Sequence, residues 1–204
     1  NGVNVFQRIP ACEITARYGL TPDEYILFLS RLVPEKGLKN LILAYQQIHT
    51  EKKLVIAGGG SDSEEFEAEM KKLAGTHPKI LFTGFVQGTV LEELYSNAYF
   101  YVLPSDLEGL PLSLLEAMSY GNCCLVSDLA ECADVIEDKG VTFRKGDVKD
   151  LAKKLQLLCD RPELVEQYRT EAADFVCRKY SWDRMAERTM ELYRKSLKTG
   201  RKRK

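Results

Sequence analysis

Tyr25-Ile26-Leu27-Phe28-Leu29-Ser30 and Leu54-Val55-Ile56-Ala57 decide the fold. Each run is of strand length, and apart from Ser30 at the end of the first, every position is apolar. A strand with one wet face alternates apolar and polar residues, whereas one that is apolar throughout is covered on both faces. Between the two runs, Leu38, Leu41, Ile42, Tyr45 and Ile48 recur at helical spacing. A strand, a helix and a second fully covered strand are the parts of a parallel crossover unit.

The same alternation extends outward. Gly58-Gly59-Gly60 closes the second strand, and a charged amphipathic helix follows, with Ser61 to Ser63 as candidate caps and Phe66, Met70, Leu73 and Ala74 as its apolar face. Residues 80–83 read as a third strand, 90–97 as a short helix and 98–103 as a fourth strand. A loop at 104–109, a helix at 111–120, a strand at 123–127, a short helix near 132–136 and a small strand at 141–143 complete the series. From Val148 onward the pattern is helical, broken at Pro162 and at Tyr180-Ser181. The expected fold class is α/β, a doubly wound parallel sheet with extra C-terminal helices.

Composition narrows the function classes. The chain has 204 residues, 45% apolar and 29% charged, which suits a soluble globular domain. With 29 basic and 30 acidic side chains, no net field draws it to nucleic acid or to a membrane surface. Only the last eleven residues lean basic, which reads as a solvated terminus. No apolar run reaches the length of a membrane span. The six cysteines form no C-x-x-C pair, so reduced, buried thiols in a cytoplasmic protein are expected rather than disulfides or a zinc site. The opening Asn1-Gly2-Val3 without methionine is expected of a piece of a longer protein.

In a doubly wound sheet, ligands bind beyond the carboxyl ends of the strands. The informative loops are therefore 30–37, 58–62, 84–89 and 104–112. No G-x-x-x-x-G-K-[ST] occurs, and no G-x-G-x-x-G follows the first strand, which argues against P-loop nucleotidases and hydride-transfer enzymes. Two histidines, His49 in a predicted helix and His77 in a loop, support neither a metal site nor a triad. In the first loop, Arg31 follows the strand and Lys36 precedes a helix; two fixed cations beside a helix start suit a diphosphate, or equally form a solvated turn. In the last loop, Glu108 precedes Gly109, which permits a tight turn, and Pro111, which fits a first helical turn. The amides of Leu112 and Ser113 are left free for an anion. Glu116 interrupts a mostly apolar helix, and a carboxylate in that position usually has a polar partner.

Taken together, Arg31 and Lys36 in R-x4-K-G, the turn Gly84-Phe85-Val86, and Glu108 with Glu116 in E-G-x6-E resemble the donor-binding half of retaining family 4 glycosyltransferases. The resemblance implies a Rossmann-like domain, one half of a GT-B fold. Residues 1–20 would be a linker from an absent N-terminal, acceptor-binding domain, 21–180 the donor domain, 181–198 a helix crossing back to the absent half, and 199–204 a basic disordered tail.

The resemblance also implies roles. Arg31 and Lys36 would hold the diphosphate of a nucleotide-sugar and stabilise the leaving group, a task given elsewhere to a metal, so neither metal nor cofactor is expected. Glu116 would hold the ribose hydroxyls and Glu108 those of the sugar. The backbone of Phe85 and Val86 would hold the base, and Gly59 and Gly60 would allow close approach. Many members read E-G-F-G where this chain has Glu108-Gly109-Leu110-Pro111; Pro111 has no N–H, so phosphate binding shifts to Gly109, Leu110, Leu112 or Ser113. A front-face retaining route, with the donor phosphate taking the acceptor proton, would make Glu108 a binding group rather than a nucleophile. The expected partner is a UDP-sugar, used in polysaccharide biosynthesis, with glycan, lipid or other acceptor. Neither nucleic acid nor a membrane is expected as a partner, except through the absent domain. A nucleotide-sugar epimerase-like domain and a nucleotide-binding module without turnover are the alternatives.

Overall fold

The computed structural model describes residues 2–59 and 64–201. Gly60 and the candidate caps Ser61 to Ser63 lie outside them, as do residues 202–204. Six strands, β1 (Tyr25–Leu29), β2 (Lys53–Ala57), β3 (Ile80–Gly84), β4 (Phe100–Leu103), β5 (Cys124–Ser127) and β6 (Val141–Phe143), form one sheet in the order β3-β2-β1-β4-β5-β6. Every pairing is parallel. Alternate residues of each strand point into two cores. Leu27, Val55, Tyr101 and Val126 enter the core that also holds Ile14, Leu94 and Met118. Ile26, Ile56, Val102 and Leu125 enter the opposite one, with Leu41, Met70 and Leu155. Both faces are covered, which is why these strands carry no polar alternation.

The connections are helical: α2 (Leu38–Tyr45), α3 (Glu64–Ala74), α4 (Thr89–Asn97), α5 (Leu112–Ser119) and α6 (Ala130–Ile136). Then α7 (Val148–Asp160), α8 (Pro162–Lys179) and α9 (Trp182–Arg201) follow, with Pro162 in the first turn of α8 where its missing N–H costs nothing.

Several boundaries differ from expectation. Helix α2 ends at Tyr45, so His49 lies beyond it rather than within it. β4 begins at Phe100 because Tyr99 already donates its amide to Tyr25 O ahead of the paired register. Pro111 caps α5 from outside, with an extended backbone, instead of sitting in the first turn. Helix α9 reaches Arg201, three residues beyond the expected end of the crossing helix and into the segment expected to be disordered. Cys123, Cys124 and Cys132 are buried thiols as expected, but Cys12 is exposed; all six cysteines are free.

Residues 2–20 are more structured than a linker suggests. They carry α1 (Glu13–Tyr18), whose first amides are taken by a side chain from another helix: Glu93 Oε2 accepts from Cys12 N and Ile14 N, each at 2.9 Å. Val3 N donates to Tyr180 O, and Asn97 Nδ2 donates to Ile9 O. The segment is strapped along the side of the domain. Among the described residues, no helix is long and apolar enough to cross a membrane.

Candidate functional site

The strand order reverses between β1 and β4, where successive crossovers run in opposite directions and leave a crevice at the carboxyl ends. The loop after β1 carries Arg31 and Lys36; the loop after β4 carries Glu108 and leads into α5. The fold therefore brings together the two loops that sequence spacing singled out. Two glycines let them close. An added Cβ on Gly37, whose φ is +67°, would lie 1.9 Å from Pro104 O, and Asp106 N donates to Glu35 O at 2.8 Å. Gly58, at φ +141°, would meet Ser30 O at 1.8 Å. Gly37 and Gly58 thus serve the approach of the chain's own loops, while an added Cβ on Gly59 would find only an ordinary contact with Phe85 at 3.4 Å. Gly109 is not used in the turn as expected. Its φ is not positive and an added Cβ would meet nothing within 4 Å, so the turn does not need a glycine there.

Across the crevice, Lys36 Nζ donates to Glu108 Oε1 at 2.7 Å, a pair of mostly buried side chains joining positions 72 residues apart. Ser105 Oγ donates to the same oxygen at 2.7 Å, and Ser105 O accepts from Ser127 Oγ at the end of β5. Glu108 is therefore an internal anchor as well as a group facing the cleft, which sequence spacing did not suggest. Its other oxygen has no protein partner among the described residues. Arg31 is exposed, lines a cavity of about 320 Å³ with Ser30, Gly58, Phe85, Val86 and Gln87, and among the described residues its guanidinium has no hydrogen-bond or ion-pair partner. The Phe85 ring is largely exposed, and Val86 packs partly into the core behind it.

Helix α5 presents its start to the crevice. Its first amides with an acceptor are those of Leu114 and Leu115, both on Pro111 O, so among the described residues Leu112 and Ser113 keep their amides for a ligand. Ser113 Oγ accepts from Tyr101 OH at 2.9 Å, which fixes that first turn to β4. Leu112 is half exposed, while Leu110 packs partly against the core. One and a half turns further, Glu116 Oε2 accepts from Tyr95 OH at 3.0 Å. Burial pushes the Glu116 carboxyl above its ordinary range, and the Tyr95 hydroxyl partly offsets that.

Expected residues Arg31, Lys36, Phe85, Val86, Glu108, Gly109, Leu110, Leu112, Ser113 and Glu116 all come from loops or helix starts along this one edge. Gly60 lies outside the described residues. Ser105, Gly58 and Tyr95 were missed. Ser105 had a signal, since it stands in the loop after β4; Tyr95 had none, because its partner is 21 positions away on another helix. A larger cavity of about 540 Å³, lined by Tyr45, His49, His77 and Lys79, opens at the opposite edge of the sheet, away from the strand ends where this fold takes ligands.

The profile of a family described as glycosyl transferases group 1 matches residues 13–175. An uncharacterised glycosyltransferase of Methanocaldococcus jannaschii is 33% identical over 181 residues, which is 86% of this chain and 46% of that protein. The glycogen synthase of Deinococcus radiodurans is 29% identical over 182 residues, 87% of this chain and 39% of its own length. Among solved structures, the sucrose-phosphate synthase of Thermosynechococcus elongatus superposes with a TM-score of 0.82 at 25% identity, over 97% of this chain and 52% of that one. Anabaena HepE, solved with UDP and glucose, does so with a TM-score of 0.86 at 16% identity, over 96% and 56%. The chain spans about half the length of these relatives. It belongs to the glycosyl transferases group 1 family, and its architecture is that of one Rossmann-like half of a GT-B fold.

Proposed function

We propose that this member of the glycosyl transferases group 1 family binds a nucleoside-diphosphate sugar at the β1/β4 crevice. With a second, acceptor-binding domain facing it, the domain would serve a retaining sugar transfer to a glycan, lipid or other acceptor. The observation that carries the reading is the meeting, at the reversal of strand order, of the Arg31–Lys36 loop with the Glu108 loop and the open start of α5. Fixed cations and unpaired helix amides stabilise a diphosphate most when charge grows on it as the glycosidic bond breaks.

In this reading Arg31, whose guanidinium has no partner among the described residues, and Lys36 hold the phosphates, along with the amides of Leu112 and Ser113. Glu116 accepts from the ribose hydroxyls. Phe85 and Val86 flank the base. The free oxygen of Glu108 faces the sugar while its other oxygen holds Lys36 in place. Retention proceeds on the front face, with the donor phosphate as the proton acceptor, and Glu108 acts by binding. The positive charge comes from the protein, so no metal is needed. A UDP-sugar is the preferred donor, in line with the complexes of HepE with UDP and with UDP-glucose. The site would work in the cytoplasm, in polysaccharide assembly, as the names of relatives such as the glycogen synthase suggest.

Calorimetric titration of the chain with UDP, GDP, ADP and their sugar derivatives, with and without EDTA, tests the reading. UDP binding that is indifferent to EDTA and lost when both Arg31 and Lys36 become alanine is the expected result. Absence of binding to any nucleoside diphosphate overturns it. Joined to the remainder of its protein, transfer to an acceptor distinguishes a transferase from an epimerase-like domain, which would release the sugar epimer instead.

A further inference from the structure

We infer that Tyr95 is a positioning residue for Glu116, held in register by an aromatic stack that begins at Phe6 in the segment ahead of the domain; the inference rests on the assignment of Glu116 to ribose recognition. Tyr95 is on α4 and Glu116 on α5, and the phenol donates to Oε2 at 3.0 Å, with a second, longer contact to Ser113 O at 3.3 Å. Glu116 Oε1 has no protein partner among the described residues, so one carboxylate oxygen is turned by the protein and the other is left for a ligand.

The phenol itself has little freedom. Tyr95 is 1% exposed, so its hydroxyl has no water to turn to. Its ring stacks on Tyr120 at 5.4 Å and 13°, and Tyr120 stacks on Phe6 at 4.7 Å and 3°. On its other side, Tyr101 packs at 6.2 Å with its hydroxyl bound to Leu29 O and Ser113 Oγ. Four rings from four separate parts of the chain thus determine where one hydroxyl stands.

The cavities show what this arrangement does. Phe6 and Glu116 together line two adjoining hollows. One, of about 180 Å³, is shared with Gly88, Leu91, Tyr95 and Tyr120; the other, of about 270 Å³, is shared with Val3, Leu112 and Trp182. Leu91 links the first to the Arg31 cavity. Phe6 therefore stands at the far end of the groove that starts beside Arg31, next to the carboxylate that would read the sugar ring of the nucleoside. A carboxylate in such apolar surroundings is turned toward whatever donor is nearest; a buried phenol on one oxygen keeps it aimed. Pre-set direction matters for selectivity, because a hydrogen bond aimed before binding costs less ordering on binding.

Tyr95→Phe removes only the hydroxyl and keeps the stack. Calorimetry would compare UDP with 2′,3′-dideoxy-UDP on the chain and on this variant, beside their thermal midpoints. The unsubstituted chain is expected to prefer UDP. In Tyr95→Phe, UDP weakens by about tenfold while the dideoxy ligand barely changes, so the preference collapses. Phe6→Leu, which loosens the stack from outside and leaves the hydroxyl in place, lowers the same ratio by about threefold and carries the test if Tyr95→Phe does not fold. Equal weakening toward both ligands, or an unchanged ratio, assigns Tyr95 to the fold alone and overturns the inference while the nucleotide site stands. Failure of the unsubstituted chain to bind any nucleoside diphosphate overturns both.

Discussion

The two edges of the sheet carry the same kinds of side chain and use them differently. At the amino edge the cations are committed to the chain's own carbonyls. Arg169 Nη2 donates to Ala98 O at 2.7 Å and Tyr99 O at 2.8 Å and pairs with Asp23; Lys53 Nζ reaches Gly19 O, Lys79 Nζ reaches Thr50 O, and Arg8 Nε reaches Tyr120 O. At the carboxyl edge Arg31 has no such partner among the described residues, Lys36 is held by a side chain rather than by backbone, and two amides of α5 lack acceptors. Backbone carbonyls at the strand starts need donors to be buried, and these cations supply them. At the end of β1 the carbonyl of Leu29 takes its donor from the neutral Tyr101 hydroxyl, so the charge of Arg31 is not drawn into that task. Cavity size does not draw this distinction, since the 540 Å³ cavity is at the amino edge and its Lys79 is already paired with Glu51.

The comparison breaks if the amino edge proves functional or the carboxyl edge merely structural. The largest effect is expected from Arg169→Ala, which strands two carbonyls at the start of β4. Urea unfolding should show a loss of about 2–4 kcal/mol, with nucleotide affinity in the surviving folded fraction unchanged. Next comes Arg31→Ala, which removes a group the fold does not use. It is expected to weaken UDP by about 1.5–3 kcal/mol in calorimetry and to leave the unfolding curve in place. A stability loss at Arg31, or an affinity loss at Arg169, would erase the distinction.

Glu116→Gln sharpens it further. The neutral side chain loses a charge-assisted contact worth about 1.5 kcal/mol, so discrimination between UDP and its dideoxy analogue should vanish, while the fold, relieved of a buried charge, melts no lower than before. Glu108→Gln is expected to act unequally on two ligands. Removing the anion that Lys36 now faces should tighten bare UDP by about 1 kcal/mol, whereas the UDP-sugar gains nothing because its hydroxyl contact is lost. Equal shifts for both ligands would make Glu108 an anchor only.

The smallest effect concerns acid. Burial pushes the Glu93 carboxyl up, but the amides of Ile14, Cys12 and Glu13 outweigh it and hold the folded group below its ordinary value of about 4.5. A depressed carboxylate contributes stability that is complete above that value and is lost as pH falls through the folded one. Glu93→Gln should therefore flatten the acid limb of the stability curve below about pH 4.5, measured by urea midpoints across pH. It should not move UDP affinity at pH 7.

The strand runs could be read locally. Those at Tyr25 and Leu54 are apolar almost throughout because a strand buried on both faces leaves little room for a polar residue, and that requirement acts on each position separately. Arg31, Lys36 and Glu108 could be singled out locally because each lies in a loop that follows a strand, and strand ends are where this architecture leaves room. Pro111 and Gly109 were misread by a residue or a role. Proline is compatible both with a first helical turn and with the position before it, and a glycine permits a left-handed backbone without requiring one.

Other features had no local signature. The pairing of Lys36 with Glu108, the hold of Tyr95 on Glu116, the capture of α1 by Glu93 and the stack of Phe6, Tyr120 and Tyr95 join positions between 21 and 114 residues apart. Periodicity and turn chemistry report on neighbours within a few residues, because that is the range over which backbone sterics and side-chain spacing act. Read along the chain, the residues settle which segments are strands, which loops end at the ligand edge and which charges stand there. Only the packed sheet decides which of those charges stay free, because a buried hydrogen-bond partner is assigned by whatever the crossovers bring alongside.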